Sequence, residues 1–221
     1  ADTMAELAGQ GQTPMLLAAD KILVGIVAVA DPIKADSARA VQQLKQRGVR
    51  VLMVTGDNEI TAKAIAAQAG ITEVRAQVLP QDKATVVKDL QAQADKVGLV
   101  GDGNNEAPAL AQADVGFAIG TGTDVAIESA DVVLLQGSLL KVPEAMALSV
   151  LTVANIKQNL LGAFFYNTIG IPVAAGLLYP LFGILLNPMI AGAAMAMSSV
   201  TVVSNANRLR WIKLNGEEPY S

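Results

Sequence analysis

The chain has 221 residues, 52% hydrophobic, 4% aromatic and 16% charged, with a mean hydropathy of +0.42 and a formal net charge of −4. It is too apolar for a disordered segment or an ordinary soluble domain, and it offers no basic surface for a phosphate backbone, so nucleic acid is not an expected partner. With no Cys and no His it excludes disulfides, thiolate or imidazole metal sites, a thiol nucleophile and a histidine base. Chemistry is left to carboxylates, Lys, Thr, Asn and hard cations.

Residues 1–12 lack the basic-then-apolar pattern of a signal peptide and the chain opens on Ala1, so it is expected to begin inside a longer protein. Beyond them, short apolar runs rich in β-branched residues alternate with helical patterns. Strands are expected at residues 23–30, 49–55, 97–101, 115–119 and 132–135. Helices are expected at 36–47, where Ala40, Val41 and Leu44 share an apolar face before Gly48, at 59–69 before Gly70, and at 81–94, with Ala84, Val87 and Leu90 inward. That order predicts an α/β fold, a Rossmann-like parallel sheet with crossover helices.

Charge then disappears. Residues 1–157 carry a net charge of −5, whereas residues 158–207 contain no Asp, Glu, Lys or Arg. A bilayer core of about 30 Å takes about 20 helical residues, so this stretch can cross twice, as a two-helix transmembrane hairpin with its turn near Tyr179, Pro180, Gly183, Asn187 and Pro188. Two buried core helices of a soluble protein would be the plainer reading. Lys157 before the stretch, and Arg208, Arg210 and Lys213 after it, put both outer ends on the cytoplasmic side, and with them the polar part of the chain.

In an open parallel sheet ligands bind where strands end, and the polar clusters fall there. Thr55-Gly56-Asp57-Asn58 follows one strand, Asp82-Lys83 follows Leu79-Pro80, and Gly101-Asp102-Gly103-Asn104-Asn105-Glu106 follows another. A hydroxyl, an ammonium and carboxylates at one sheet edge suit a phosphoryl group and its cation: Thr55 as hydrogen-bond donor, Lys83 as point charge, Asp102 as a hard ligand for Mg2+. Each cluster also has a plain reading. Thr-Gly-Asp-Asn suits a strand-to-helix turn with an N-cap, and Asp82-Lys83 a solvated helix start.

Taken together, Thr55-Gly56-Asp57, Leu79-Pro80 with Lys83, and GDGNNEAPALAQADVGFAIG over residues 101–120 resemble the later motifs of haloacid-dehalogenase-type phosphohydrolases, and more narrowly those of P-type ATPases. Phe165-Tyr166-Asn167 and Met195-Ala196-Met197-Ser198-Ser199 narrow the resemblance to the heavy-metal class, of the bacterial copper(I)-exporting type. It implies that Asp102 holds Mg2+, that Thr55, Gly56 and Lys83 hold the phosphoryl group, and that Asp57, Asn105 and Glu106 support the geometry. It also implies that Tyr166, Asn167, Met195 and Ser199 line a Cu(I) path, although Met195 and Met197 also suit ordinary helix packing. The implied organisation is 1–30 as the end of a nucleotide-binding domain and return strand, 31–140 as the phosphorylation domain, 141–210 as a linker helix and two transmembrane helices, and 211–221 as a cytoplasmic tail. ATP and Mg2+ are the implied cofactors, copper(I) the cargo, and the bilayer and the upstream domains of the same pump the partners. The location is the cell membrane, multi-pass.

The family's phosphorylated Asp-Lys-Thr-Gly-Thr and its Cys-Pro-Cys are absent, so this is expected to be a C-terminal portion of a pump, without ATP hydrolysis of its own. Asn104 stands where the family has an aliphatic residue, and Glu106 where it has Asp, which points to an altered phosphorylation site. The rival readings are a membrane-anchored haloacid-dehalogenase-like phosphohydrolase, for which only a lone Asp31 is available as nucleophile, and a non-catalytic truncated partner of an intact pump.

Overall fold

The computed structural model describes residues 2–30, 32–93, 96–101, 104–120, 124–183 and 187–212. They form two compact units, Ala1–Pro143 and Glu144–Ser221.

The first unit opens with helix α1 (Asp2–Gly9) and an antiparallel hairpin of β1 (Thr13–Ala19) and β2 (Ile22–Val29). Its two-residue turn, Asp20-Lys21, has both φ angles positive, at 50° and 66°, the conformation whose twist matches paired strands. The run at 23–30, expected in the parallel sheet, therefore pairs antiparallel with β1 instead, because so short a turn returns the chain directly alongside itself. Leu16, Ile22 and Val24 on the hairpin are more than half exposed.

Helix α2 (Ser37–Gln46) and helix α3 (Glu59–Ala69) follow the expected apolar spacing, burying Ala40, Val41 and Leu44 on the first and Ala62, Ala66 and Ala69 on the second. Between them β3 is only Leu52–Val54, shorter than the expected 49–55, and it pairs in parallel with β4 (Glu73–Arg75). Arg50 clamps this pair, donating from Nε at 2.8 Å and Nη2 at 2.6 Å to the Glu73 carboxylate. Helix α4 (Lys83–Ala92) leads to a second parallel sheet of β5 (Gly98–Gly101), β6 (Val115–Ile119) and β7 (Val132–Leu134), in that order, with α5 (Ala107–Gln112) and α6 (Asp124–Ser129) as the crossovers. Leu110 of α5 is fully buried, and Phe117, Ala118 and Ile119 of β6 are buried with it. The segment after β7 is tied back to the start of α2, Lys34 donating to the Gly137 carbonyl and Ser138 to the Asp36 carboxylate.

The second unit consists of most of α7 (Lys141–Ala174), a single helical turn α8 (Tyr179–Phe182) and α9 (Pro188–Arg208). Among the described residues one helix, Pro188–Trp211, is long and apolar enough to cross a membrane, and none of its apolar window is buried. Two such helices were expected. The first expected span is the end of α7, where Lys157, Gln158, Asn159 and Asn167 dilute the apolar run before the helix stops at Ala174. Tyr179-Pro180, expected in the turn, is wound into α8, and α9 opens with Asn187 as N-cap, its side chain accepting from the Met189 amide at 2.8 Å.

Candidate phosphoryl site and membrane residues

Thr55 follows β3, and its backbone is held from both sides. Its N–H donates to the Arg75 carbonyl at 3.0 Å and its carbonyl accepts from Val78 at 3.0 Å. The Gln77 amide, at a residue with φ of 56°, donates to the Asp57 carbonyl at 2.9 Å. The chain leaving β4 thus wraps the Thr-Gly-Asp loop and fixes it at the strand ends. Within the loop the Thr55 hydroxyl donates to Asp57 Oδ2 at 2.9 Å and accepts from the Asp57 amide at 3.2 Å. Gly56 is exposed between them. Asn58 is the N-cap of α3, accepting from the Thr61 amide at 2.9 Å and donating to the Thr61 hydroxyl at 2.9 Å. The capping reading of this tetrapeptide therefore holds for Asn58, which leaves Thr55, Gly56 and Asp57 as the candidates for the site.

Lys83 opens α4 after a 3-10 turn at Pro80–Asp82, and this turn packs against a second one at Asn104–Glu106, after β5. The meeting of the turns pairs the Lys83 ammonium with the Glu106 carboxylate, the two side chains 17% and 18% exposed. Asn105 is exposed on the second turn. The structure thus brings Thr55 to Asp57 and Lys83 to Glu106. Sequence spacing did not reveal the second pairing, because 23 residues separate its members; the signal available was one charge of each sign in the two polar clusters.

Asp102, Gly103, Asp31 and Lys213 lie outside the described residues, as does the side chain of Asn104. Among the described residues no three carboxylates gather into a cation cage. Asp57 and Glu106 carry hard oxygens of the kind Mg2+ takes, one accepting from the Thr55 hydroxyl and the other paired with Lys83.

In the second unit, Tyr166 is half-buried and meets Phe165 edge to face, with centroids 6.4 Å apart. Asn167 donates to the Ala163 carbonyl of its own helix at 3.1 Å, and Ser199 to the Met195 carbonyl of its own at 3.3 Å, while Met195 is 72% exposed. Among the described residues no hydrogen bond joins Tyr166 or Asn167 to Met195 or Ser199. What joins α7 to α9 is a loop of amides. Buried Asn155 donates to the Asn205 carbonyl at 2.8 Å and accepts from Asn159 at 3.0 Å, and Asn159 accepts from Asn205 Nδ2 at 2.8 Å. Arg208 adds a bond to Gln158 at 2.9 Å. Sequence reasoning passed over these asparagines, whose signal is asparagine within apolar helices.

Residues 1–114 match the model of the haloacid dehalogenase-like hydrolase family. The chain is 55% identical over 216 residues to a copper-exporting P-type ATPase of Vibrio cholerae, which covers 98% of this chain and 24% of that protein. It is 54% identical over 205 residues to a silver-exporting P-type ATPase of Salmonella typhimurium, covering 93% of this chain and 25% of that one. Among solved structures, a zinc-transporting PIB-type ATPase crystallised in its E2.Pi state superposes with a TM-score of 0.74 at 38% identity, over 95% of this chain and 34% of the other. The chain spans about a quarter of the length of the curated relatives it matches. The chain belongs to the haloacid dehalogenase-like hydrolase family and, within it, to the P-type ATPases of the heavy-metal class.

Proposed function

We propose that this chain is the C-terminal portion of an ATP-driven copper(I) exporter, supplying the phosphate-binding half of the phosphorylation site and part of the metal path. The observation that carries this reading is one polypeptide with two chemistries. A hydroxyl at Thr55 stands at the end of a parallel strand and an enclosed ammonium at Lys83 opens a helix, and the same chain runs into a 24-residue apolar helix bearing Met195 and Ser199. The relatives named for copper and silver export favour a soft monovalent cargo, which thioether sulfur suits.

In this reading residues 1–30 close a nucleotide-binding domain, 31–140 form the phosphorylation domain, 141–210 the linker helix and two membrane helices, and 211–221 a cytoplasmic tail. Thr55 donates a hydrogen bond to the phosphoryl group, Lys83 neutralises its charge, and Gly56 lets its oxygens approach the backbone. Asp57 holds the Thr55 hydroxyl, and Asn105 and Glu106 shape the opposite wall. Asp102, with its hard oxygens, would hold Mg2+, which supplies offset of phosphate charge when bound. Tyr166, Asn167, Met195 and Ser199 line the copper path together with helices from upstream, in a multi-pass protein of the cell membrane whose polar part is cytoplasmic. The 221 residues alone lack the phosphorylated aspartate motif and hydrolyse no ATP; ATP is the cofactor of the whole pump.

The test is a chimera in which this chain replaces the matching stretch of the Vibrio cholerae exporter, expressed in cells lacking copper export. The chimera should restore growth on copper, and Lys83→Gln or Met195→Ala within it should each abolish that growth. Growth unaffected by both substitutions would overturn the reading.

A further inference from the structure

The anion-binding donors of this site are already held by its own acids. Glu106 pairs with Lys83 in a recess where both side chains are more than four-fifths covered. The Thr55 hydroxyl is likewise turned onto Asp57. Glu106 also lies directly over the end of β5: a Cβ added at Gly101 would collide with its carboxylate and come within 3.3 Å of its own Cβ, so the strand ends in a buried glycine that makes room for this side chain.

An enclosed ammonium gains from one close carboxylate the charge neutralisation it would otherwise take from a phosphoryl oxygen. Side-chain length decides which one it meets. A carboxylate one methylene shorter, on the same backbone, would end about 1.5 Å further from Lys83.

We propose that Glu106 is a positioning residue that sets the affinity of the site for phosphate-class oxyanions: it occupies Lys83 as an internal counter-ion, and an incoming phosphoryl group binds by displacing it. This rests on the reading of Lys83 as the residue that holds the phosphoryl group, and it makes the glutamate a brake on that step.

The experiment titrates the full 221-residue chain, in detergent micelles, with inorganic phosphate followed by phosphorus NMR. Glu106→Gln keeps the length and removes the charge, and it should tighten phosphate binding about tenfold, the order set by releasing one charge-assisted hydrogen bond. Glu106→Asp should fall between parent and Glu106→Gln, and its melting curve serves as the check that the recess still folds. Lys83→Gln should weaken binding, and in that background Glu106→Gln should have no further effect. A contribution from general charge or from packing would persist without Lys83, so the double variant separates displacement from both.

Binding by Glu106→Gln no tighter than the parent's, with Lys83→Gln still weakening it, overturns the proposal and leaves the phosphate site standing. Binding indifferent to Lys83→Gln overturns both.

Discussion

Asp114, one residue before β6, gathers three donors: Lys96 Nζ at 2.7 Å, Gln91 Nε2 at 3.0 Å and the Val97 amide at 3.1 Å. The Lys96 ammonium above all, then the Gln91 amide and the Val97 N–H, hold its carboxyl far below the ordinary value of 3.8. A carboxylate depressed in this way stabilises the fold fully above its unfolded value, and that contribution is lost as the pH falls through the folded one. Asp114→Asn should therefore lower the melting temperature at neutral pH, and the gap from the parent should close as the pH is taken below 3.8. A gap of constant size down to about pH 2 would show that the charge is not responsible. Nothing in the sequence marks Asp114 for this work, since Lys96 and Gln91 lie 18 and 23 residues away and meet it only when β5 and β6 pair. Thr55 and Lys83 stood out as candidates for the opposite reason: a parallel sheet concentrates chemistry at its strand ends, and both stand beyond an apolar run or its turn. The Lys83 partner did not, because it depends on how two 3-10 turns meet.

Helices were read from the sequence more faithfully than strands, and the difference is physical. Helix α3 carries its own boundaries, with Asn58 capping one end and Gly70, at φ of 73°, closing the other, and it occupies the expected 59–69. β4 is three residues long with Glu73 and Arg75 at its ends, too short and too polar for an alternating pattern. The β1–β2 turn is built on Asp-Lys rather than Asn-Gly or Asp-Gly, so the usual hairpin signal is missing. Packing between elements imposes a requirement that no periodicity shows. A Cβ at Gly116 of β6 would stand 2.8 Å from the Leu110 carbonyl oxygen of α5, a backbone atom that cannot rotate aside. Gly116→Ala should cost about 1–3 kcal/mol by denaturant unfolding, the range for overpacking a filled interior. Gly98→Ala, whose Cβ would rest 3.6 Å from the Phe117 ring, should stay within about 0.5 kcal/mol of the parent. Equal losses would mean that the α5–β6 approach is not what selects glycine.

At the scale of the whole molecule, the absence of charge over residues 158–207 led to the expectation of a part of the chain with a different solvent, and within it α9 presents Met189, Ile190, Met195, Val200 and Val203, each 58% exposed or more. Apolar surface of that extent, on a helix long enough to span a bilayer, calls for an apolar surrounding. The other expected span, at the end of α7, is not apolar enough to match it, because charge and apolarity are separate properties: this stretch lacks charge yet carries Gln158, Asn159 and Asn167, and Asn159 serves the amide loop that holds α7 to α9. A bilayer discriminates by burial of charge, so position along the chain should govern tolerance. Val200→Arg, near the middle of α9, places a guanidinium where insertion is disfavoured by about 2.5–3.5 kcal/mol, and it should deplete the chain from carbonate-washed membranes. Ile60→Arg on α3 changes the same chemistry at a residue that is 52% exposed in the first unit, and it should leave the membrane fraction as it was. Retention of both variants to the same degree would mean that α9 does not sit across the bilayer, since only a water-facing helix accepts the two charges alike.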